Sequence, residues 1–256
     1  MRQLLAKAAV GLFLVAGPAT AASPAGAAPD EGPGISVSNL PSQKVPPPSL
    51  AGGTFTARIL VATAVRMRPG GKRVRWLART WVKWSGSGQK LMVLGSRVVG
   101  GEVWLRVRLP VRPNGSSGWI PRDRVALGRS DAYILIDRSQ RTLTVFRRGR
   151  RVGRWRVVVG APGTPTPIGL FALYDRVRQR DPNGFIGPWA IPLTAHSNAL
   201  RTFDGGPGLV ALHGRAGASF LDPLGSAASH GCIRMNNGRI KYLIGRSMGT
   251  AVRIRR

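Results

Sequence analysis

The chain has 256 residues and a formal net charge of +29, with 39 Lys and Arg against 10 Asp and Glu. Glycine (34) and proline (20) are abundant and the apolar runs are short. That composition argues against a helical bundle and for β structure with many turns, and a single cysteine excludes a disulfide framework within the chain.

Residues 1–27 read as a signal peptide. Arg2 and Lys7 give a positive start, Ala8 to Gly17 is a short apolar run, and both Ala19-Thr20-Ala21 and Ala25-Gly26-Ala27 fit a cleavage site. The run is too short to span a bilayer, which needs about 20 apolar residues. No later stretch is long enough either, so no transmembrane span is expected after cleavage. The expected location is secreted, in the cell wall or a periplasm-like space. Residues 28–52 read as a Pro-rich linker, with Pro33, Pro41 and Pro46-Pro47-Pro48.

Residues 54–128 form the next unit. Ile59-Leu60-Val61 begins a strand, Arg68-Pro69-Gly70-Gly71 is a turn, and Leu91–Leu94 and Val103–Val107 are strands. Pro113-Asn114-Gly115 is a turn and Gly118-Trp119-Ile120 opens another strand. The segments Trp104–Val107, Arg112–Gly115 and Gly118–Ile120 resemble bacterial SH3-like domains, which implies a small SH3-like β-barrel. Trp76, Trp81 and Trp84 are either a ligand surface or, the favoured reading, core filling.

Residues 131–256 form a second β-rich unit. Tyr133–Asp137 and Thr142–Phe146 make a hairpin about Arg138–Arg141, and Trp155–Gly160 is a third strand. Leu209–Leu212 runs directly into His213, which places that residue at a strand end. Ile240, Leu243 and Ile244 have helical spacing within 239–246, and Thr250–Ile254 is a closing strand.

Of the 39 basic residues 33 are arginine, scattered over strand-like segments. Such a surface attracts polyanions. For an exported chain, anionic cell-envelope polymers are the expected partners and no specific nucleic acid is. The alternative is that the arginines reflect GC-rich coding and spread over the surface without a partner.

The chemistry centres on Cys232, in Ser229-His230-Gly231-Cys232-Ile233-Arg234. An unpaired cysteine in an exported protein is an intermolecular link or a reactive thiol. The thiolate is the attacking species, and a neighbouring imidazole supplies it by accepting the proton. His213 and His230 are the candidates. His213 is favoured because a strand end holds it rigidly, with the Gly214 carbonyl able to orient the ring. Gly231 permits a tight backbone whose amides point at a developing oxyanion. A zinc site built from His196, His213, His230 and Cys232 fits no common spacing and lacks a second thiol, so no metal is expected. His196 reads as an ordinary loop residue.

Ala211-Leu212-His213-Gly214, followed by Ser229-His230-Gly231-Cys232-Ile233-Arg234-Met235, resembles the signature of the L,D-transpeptidase (YkuD-type) catalytic domain. The resemblance extends over about 125 residues and includes Thr164-Pro165-Thr166-Pro167-Ile168-Gly169. It implies a mainly β, sandwich-like fold with a short helix, acting on peptidoglycan stem peptides without a cofactor. Cys232 would attack the carbonyl after the third residue of a tetrapeptide stem, expel D-alanine and form a thioester. His213, oriented by Gly214, would be the base, with His230, Gly231 and Cys232 shaping the oxyanion pocket. An amine from a second stem would resolve the thioester into a 3-3 cross-link. Arg234 stands where many members have Asn, either binding a substrate carboxylate, the favoured role, or bracing the loop. Ser229 is assigned to the substrate side. The rivals are an L,D-carboxypeptidase, in which water resolves the same thioester, and a non-catalytic cell-wall-binding protein.

Overall fold

The computed structural model describes residues 44–79, 85–202 and 206–256. The chain divides into Met1–Leu40 and Pro41–Arg256, and the described residues all belong to the latter. The signal-peptide reading, the first part of the linker, Trp81 and Trp84 lie outside the described residues. Among the described residues no helix is long and apolar enough to cross a membrane.

An N-terminal sheet is built from β1 (Thr54–Ile59), β2 (Thr63–Arg66), β3 (Arg73–Leu77), β4 (Lys90–Val99), β5 (Glu102–Arg108), β6 (Ser117–Pro121) and β7 (Val125–Ser130). Its strand order is β3-β2-β6-β5-β4-β1-β7. Alternating side chains such as Val65, Leu105, Val107 and Ile120 form its buried face.

This sheet corrects two expectations. It is open, with β3 and β7 as edges, rather than a closed barrel. β7 is used instead as a joint: Asp131 alone separates it from the next strand, and Ser130 Oγ accepts a bond from Thr250 Oγ1 (2.8 Å). Trp76 is 57% exposed rather than core. It lies on the outer side of edge strand β3, with the Arg73 guanidinium 6.0 Å from its ring centroid. Leu60 and Val61 fall between β1 and β2 and are exposed.

The end of the expected linker is attached to the body. Val45 is buried in the core of the N-terminal sheet, and its amide donates to Ser96 Oγ at 2.7 Å.

The C-terminal half comprises β8 (Ala132–Asp137), β9 (Thr142–Arg147), β10 (Arg150–Arg156), β11 (Val159–Gly160), β12 (Gly169–Ala172), β13 (Val177–Arg178), β14 (Trp189–His196), β15 (Leu209–His213), β16 (Ala227–Ser229) and β17 (Ile233–Arg234). Helix α1 (Asn237–Ile244) and β18 (Ala251–Arg255) complete it. One sheet has the order β10-β9-β8-β18-β12, another β13-β14-β15-β17, and β11 pairs with β16. Ile134, Leu143 and Val252 of the first sheet meet Ile191, Leu193 and Leu212 of the second in one core. This is the sandwich-like layering, with buried Ile240 and Leu243 of α1 packed into the same core.

Local chemistry explains the connections. Asp137 Oδ1 accepts from Gln140 N and Ser139 Oγ, both at 2.9 Å, folding the β8–β9 turn. Asn236 caps α1 by accepting from Gly238 N at 2.8 Å. The expected third strand is split, because β10 begins earlier, at Arg150, and ends at Arg156 before β11.

Candidate active site

One short parallel pairing positions the site. β17 runs beside β15 with Leu212 opposite Ile233 and His213 opposite Arg234. On its other side Arg234 exchanges two backbone bonds with Val158, at 2.9 and 3.0 Å. Cys232 is the residue just before β17. It is half-buried and lines, together with His213, His230 and Arg234, a cavity of about 230 Å³. The walls are largely apolar, with Phe185, Ile186, Leu200, Pro207 and Val210 among them.

The nucleophile turn is fastened from within and from below. Gly231 has φ +112, a backbone conformation that other residues rarely adopt. Its amide donates to Ser229 Oγ (3.1 Å), and that hydroxyl donates to the Cys232 carbonyl (2.6 Å). Thr164 Oγ1 donates to the Ser229 carbonyl at 3.0 Å, and Thr166 Oγ1 donates to the Gly231 carbonyl at 2.9 Å. Thr166 Oγ1 also accepts from Gly160 N at 2.9 Å. The Thr-Pro-Thr-Pro segment is thus the floor on which the cysteine turn rests.

His213 is buried, and its Nδ1 lies 2.8 Å from the Gly214 carbonyl oxygen. A carbonyl only accepts, so Nδ1 carries the proton and Nε2 is left as the acceptor. The backbone after it is held by Asn237, which accepts from Arg215 N (2.8 Å) and donates to Arg215 O (2.9 Å).

Residues 131–254 match the family model of the L,D-transpeptidase catalytic domain. That segment, just under half of the chain, carries the likeness to YkuD-type L,D-transpeptidase catalytic domains. The chain is 31% identical over 104 residues to a Bacillus licheniformis protein described as a putative L,D-transpeptidase YkuD, covering 41% of this chain and 53% of that one. It resembles the solved structure of Bdellovibrio bacteriovorus Bd1075 at 28% identity and a TM-score of 0.39, covering 49% of this chain and 48% of that one. An L,D-transpeptidase structure from Mycobacterium tuberculosis matches at 16% identity and a TM-score of 0.41, over 60% of this chain and 90% of that one. The chain thus spans about half the length of the curated relative.

Electrostatics around Cys232 and His213 set the resting protonation. Burial pushes the His213 imidazole down to about 4, with the Arg234 charge adding to it and the Gly214 and Ile186 carbonyls opposing. Burial pushes the Cys232 thiol up, opposed by the Ala211 backbone and the Arg234 charge. The resting pair at neutral pH is therefore a neutral imidazole and a neutral thiol, not a preformed ion pair. Such a pair ionises during attack, with the imidazole as general base.

Ser229, His230 and Arg234 line the same cavity as this pair. The Gly231 amide donates to Ser229 Oγ and so holds the tight turn that carries Cys232. Ser229 lines the cavity while its hydroxyl donates to the Cys232 carbonyl and accepts from the Gly231 amide, so it braces the turn from the cavity wall. Arg234 is buried, ion-paired through Nη1 to Asp222 and stacked 4.6 Å from the Phe185 ring centroid. Bidentate capture of a substrate carboxylate would require that pairing to break, so the bracing role fits better. His230 is exposed at the cavity rim. His196 is buried at the end of β14 rather than lying in a loop. Among the described residues no three His, Cys, Asp or Glu side chains gather as a metal site.

The sequence reading missed three contributors. Arg215 is buried, with Nε and Nη2 donating to the Ser219 carbonyl, and Nη2 also reaches the Asp222 carbonyl at 2.5 Å. Asp222 and Asn237 complete the frame behind His213 and Arg234. Only Asn237 had a local signal, since it opens the helix after capping Asn236.

Proposed function

We propose that the protein is an exported cysteine L,D-transpeptidase that forms 3-3 peptidoglycan cross-links through a thioester on Cys232. The observation that supports this most is the shared cavity of Cys232 and His213, with His213 Nδ1 tied to the Gly214 carbonyl.

In the first half-reaction Cys232 Sγ attacks the carbonyl carbon of the third stem residue while its proton passes to His213 Nε2. The tetrahedral intermediate collapses, the C–N bond breaks, and the departing D-alanine amine takes that proton from the imidazolium. In the second half an amine of another stem attacks the thioester carbonyl and gives a proton to His213. The C–S bond breaks and the sulfur is reprotonated. The fixed tautomer serves both halves, because one nitrogen does all the proton transfer. Arg234 contributes as a nearby fixed charge that favours the thiolate and disfavours imidazolium.

The remaining readings rest on sequence. Residues 1–27 act as the export signal, residues 54–128 as an SH3-like module, and stem peptides together with anionic envelope polymers are the partners. The arginine-rich surface supports the last of these.

Incubation of the reduced protein with tetrapeptide stems, followed by mass analysis, tests the reading. Cross-linked dimers with release of D-alanine are expected. Tripeptide alone would mean that water resolves the thioester, and unchanged stems would overturn the enzymatic reading.

A further inference from the structure

The loop between β5 and β6 reaches into the C-terminal half. It is fixed at its own base: Leu109 N donates to Ser116 O at 2.9 Å, Ser116 Oγ to Pro113 O at 2.7 Å, and Arg108 Nη1 to the Gly115 carbonyl. From this rigid turn two side chains bind the backbone that follows β14. Arg112 Nη1 donates to Ser197 O (2.7 Å) and Nη2 to Leu200 O (2.9 Å). Asn114 forms a two-way clasp with His196, donating to its carbonyl (2.7 Å) and accepting from its amide (2.8 Å). Asn114 Nδ2 also reaches Asn198 Oδ1 at 3.0 Å.

The clasped backbone belongs to the catalytic cavity. Ser197 and Leu200 both line it with Cys232 and His213. Ser197 N donates to Gly208 O (2.8 Å), drawing in the segment 206–208, which lines the same cavity. Ser197 Oγ stands 4.0 Å from where a Cβ of Gly231 would be, against the nucleophile turn itself. Ser197 and Leu200 lie beyond the end of β14, where the partner turn grips their carbonyls.

We infer that Arg112 and Asn114 are positioning residues for the acyl donor, and that the N-terminal sheet completes the catalytic cavity by holding residues 196–200 against the cysteine turn. This rests on the proposed transpeptidase reading. The planar guanidinium suits the task, because it grips two carbonyls at once in a fixed geometry. A wall displaced by about 1 Å loosens the contacts that hold the donor without altering the sulfur or the base, which weakens donor binding more than the chemical step.

The test is single-turnover acylation of the full chain by a synthetic tetrapeptide stem, read by intact mass over a concentration series. The Arg112→Ala/Asn114→Ala double variant is expected to raise the half-saturating stem concentration about tenfold, with the limiting rate within about threefold. Alkylation of Cys232 by iodoacetamide is expected to keep its wild-type rate, which a general loosening of the fold would not allow. Arg112→Lys, whose ammonium grips one carbonyl at a time, is expected to fall between wild type and Arg112→Ala. An unchanged half-saturating concentration, or equal changes in stem and iodoacetamide reactivity, would overturn the inference. If the double variant lacks a cooperative unfolding transition, Arg112→Lys and Arg112→Ala decide by the same criteria. If the wild type is itself inert to the stem, the transpeptidase reading fails. Hydrogen exchange at 197–200 then decides on the clasp: faster exchange in the double variant supports it, and identical exchange removes it.

Discussion

The amide oxygen of Asn237 stands 2.3 Å from where a Cβ of Gly214 would be. Position 214 therefore takes glycine because α1 begins directly against it, and the same Asn237 fixes the backbone of Arg215. Gly214→Ala is expected to destabilise the fold by about 1–3 kcal/mol through overpacking. Acylation should slow as well, since the carbonyl that orients His213 moves. Denaturant midpoints and stem acylation check both, and Gly214→Ala/Asn237→Gly should recover part of the stability. Full wild-type stability in Gly214→Ala would remove this account of the position.

The nucleophile turn depends on Thr166. Thr166→Val keeps the shape but leaves the Gly231 carbonyl and the Gly160 amide without their partner. A buried group left unsatisfied costs about 1–3 kcal/mol. The expected result is a loss of that size in chemical denaturation and at least about tenfold slower acylation. Thr166→Ser should remain close to wild type, because it retains the hydroxyl.

The protonation state of His213 sets the acid limb of activity. With the imidazole held down to about 4, acylation should persist to about pH 5 and fall below it, rather than near 6.5. Arg234 lowers that value, so Arg234→Gln should move the limb upward. A pH profile of acylation for the two proteins reads this directly. A wild-type limb near 6.5 would contradict the buried neutral imidazole.

The same group makes stability depend on pH. Its folded pKa lies below its unfolded one, so the unfolded chain binds the extra proton first as pH falls. The contribution is fully present above about pH 6.5 and is lost on descent to about pH 4, up to about 3 kcal/mol. The Asp131 and Asp137 carboxyls are also held below their usual range. Their loss therefore comes at lower pH and separates from this one. Urea midpoints between pH 4 and 7 should slope for the wild type and flatten in His213→Gln.

Some of this architecture was legible in the residues alone, and the reasons are local. The alternation in Thr142–Phe146 and Val103–Val107 announces strands, and His213 follows an apolar run that ends where the strand ends. β14 escaped notice because Pro192 sits in its middle, where a proline removes a ladder donor. The sheet accommodates it with a register irregularity between Pro192 and His196. The functions of Ser229, Arg234 and Arg112 were hidden for another reason. Ser229 bonds within its own turn, a geometry that forms only once Gly231 takes its left-handed conformation, while Arg234 meets Asp222 and Phe185 and Arg112 meets a carbonyl about 85 residues away in sequence. Trp76 misled because tryptophan usually fills a core, whereas here it lies on an edge strand against Arg73.

The most direct measurement is an acid-quenched intact mass of the protein after brief exposure to a tetrapeptide stem. The account predicts a covalent tripeptide adduct, mapped to Cys232 and labile to hydroxylamine as a thioester is, and no adduct in Cys232→Ala. Turnover of the stem by Cys232→Ala, or an unmodified sulfur while product accumulates, would contradict it.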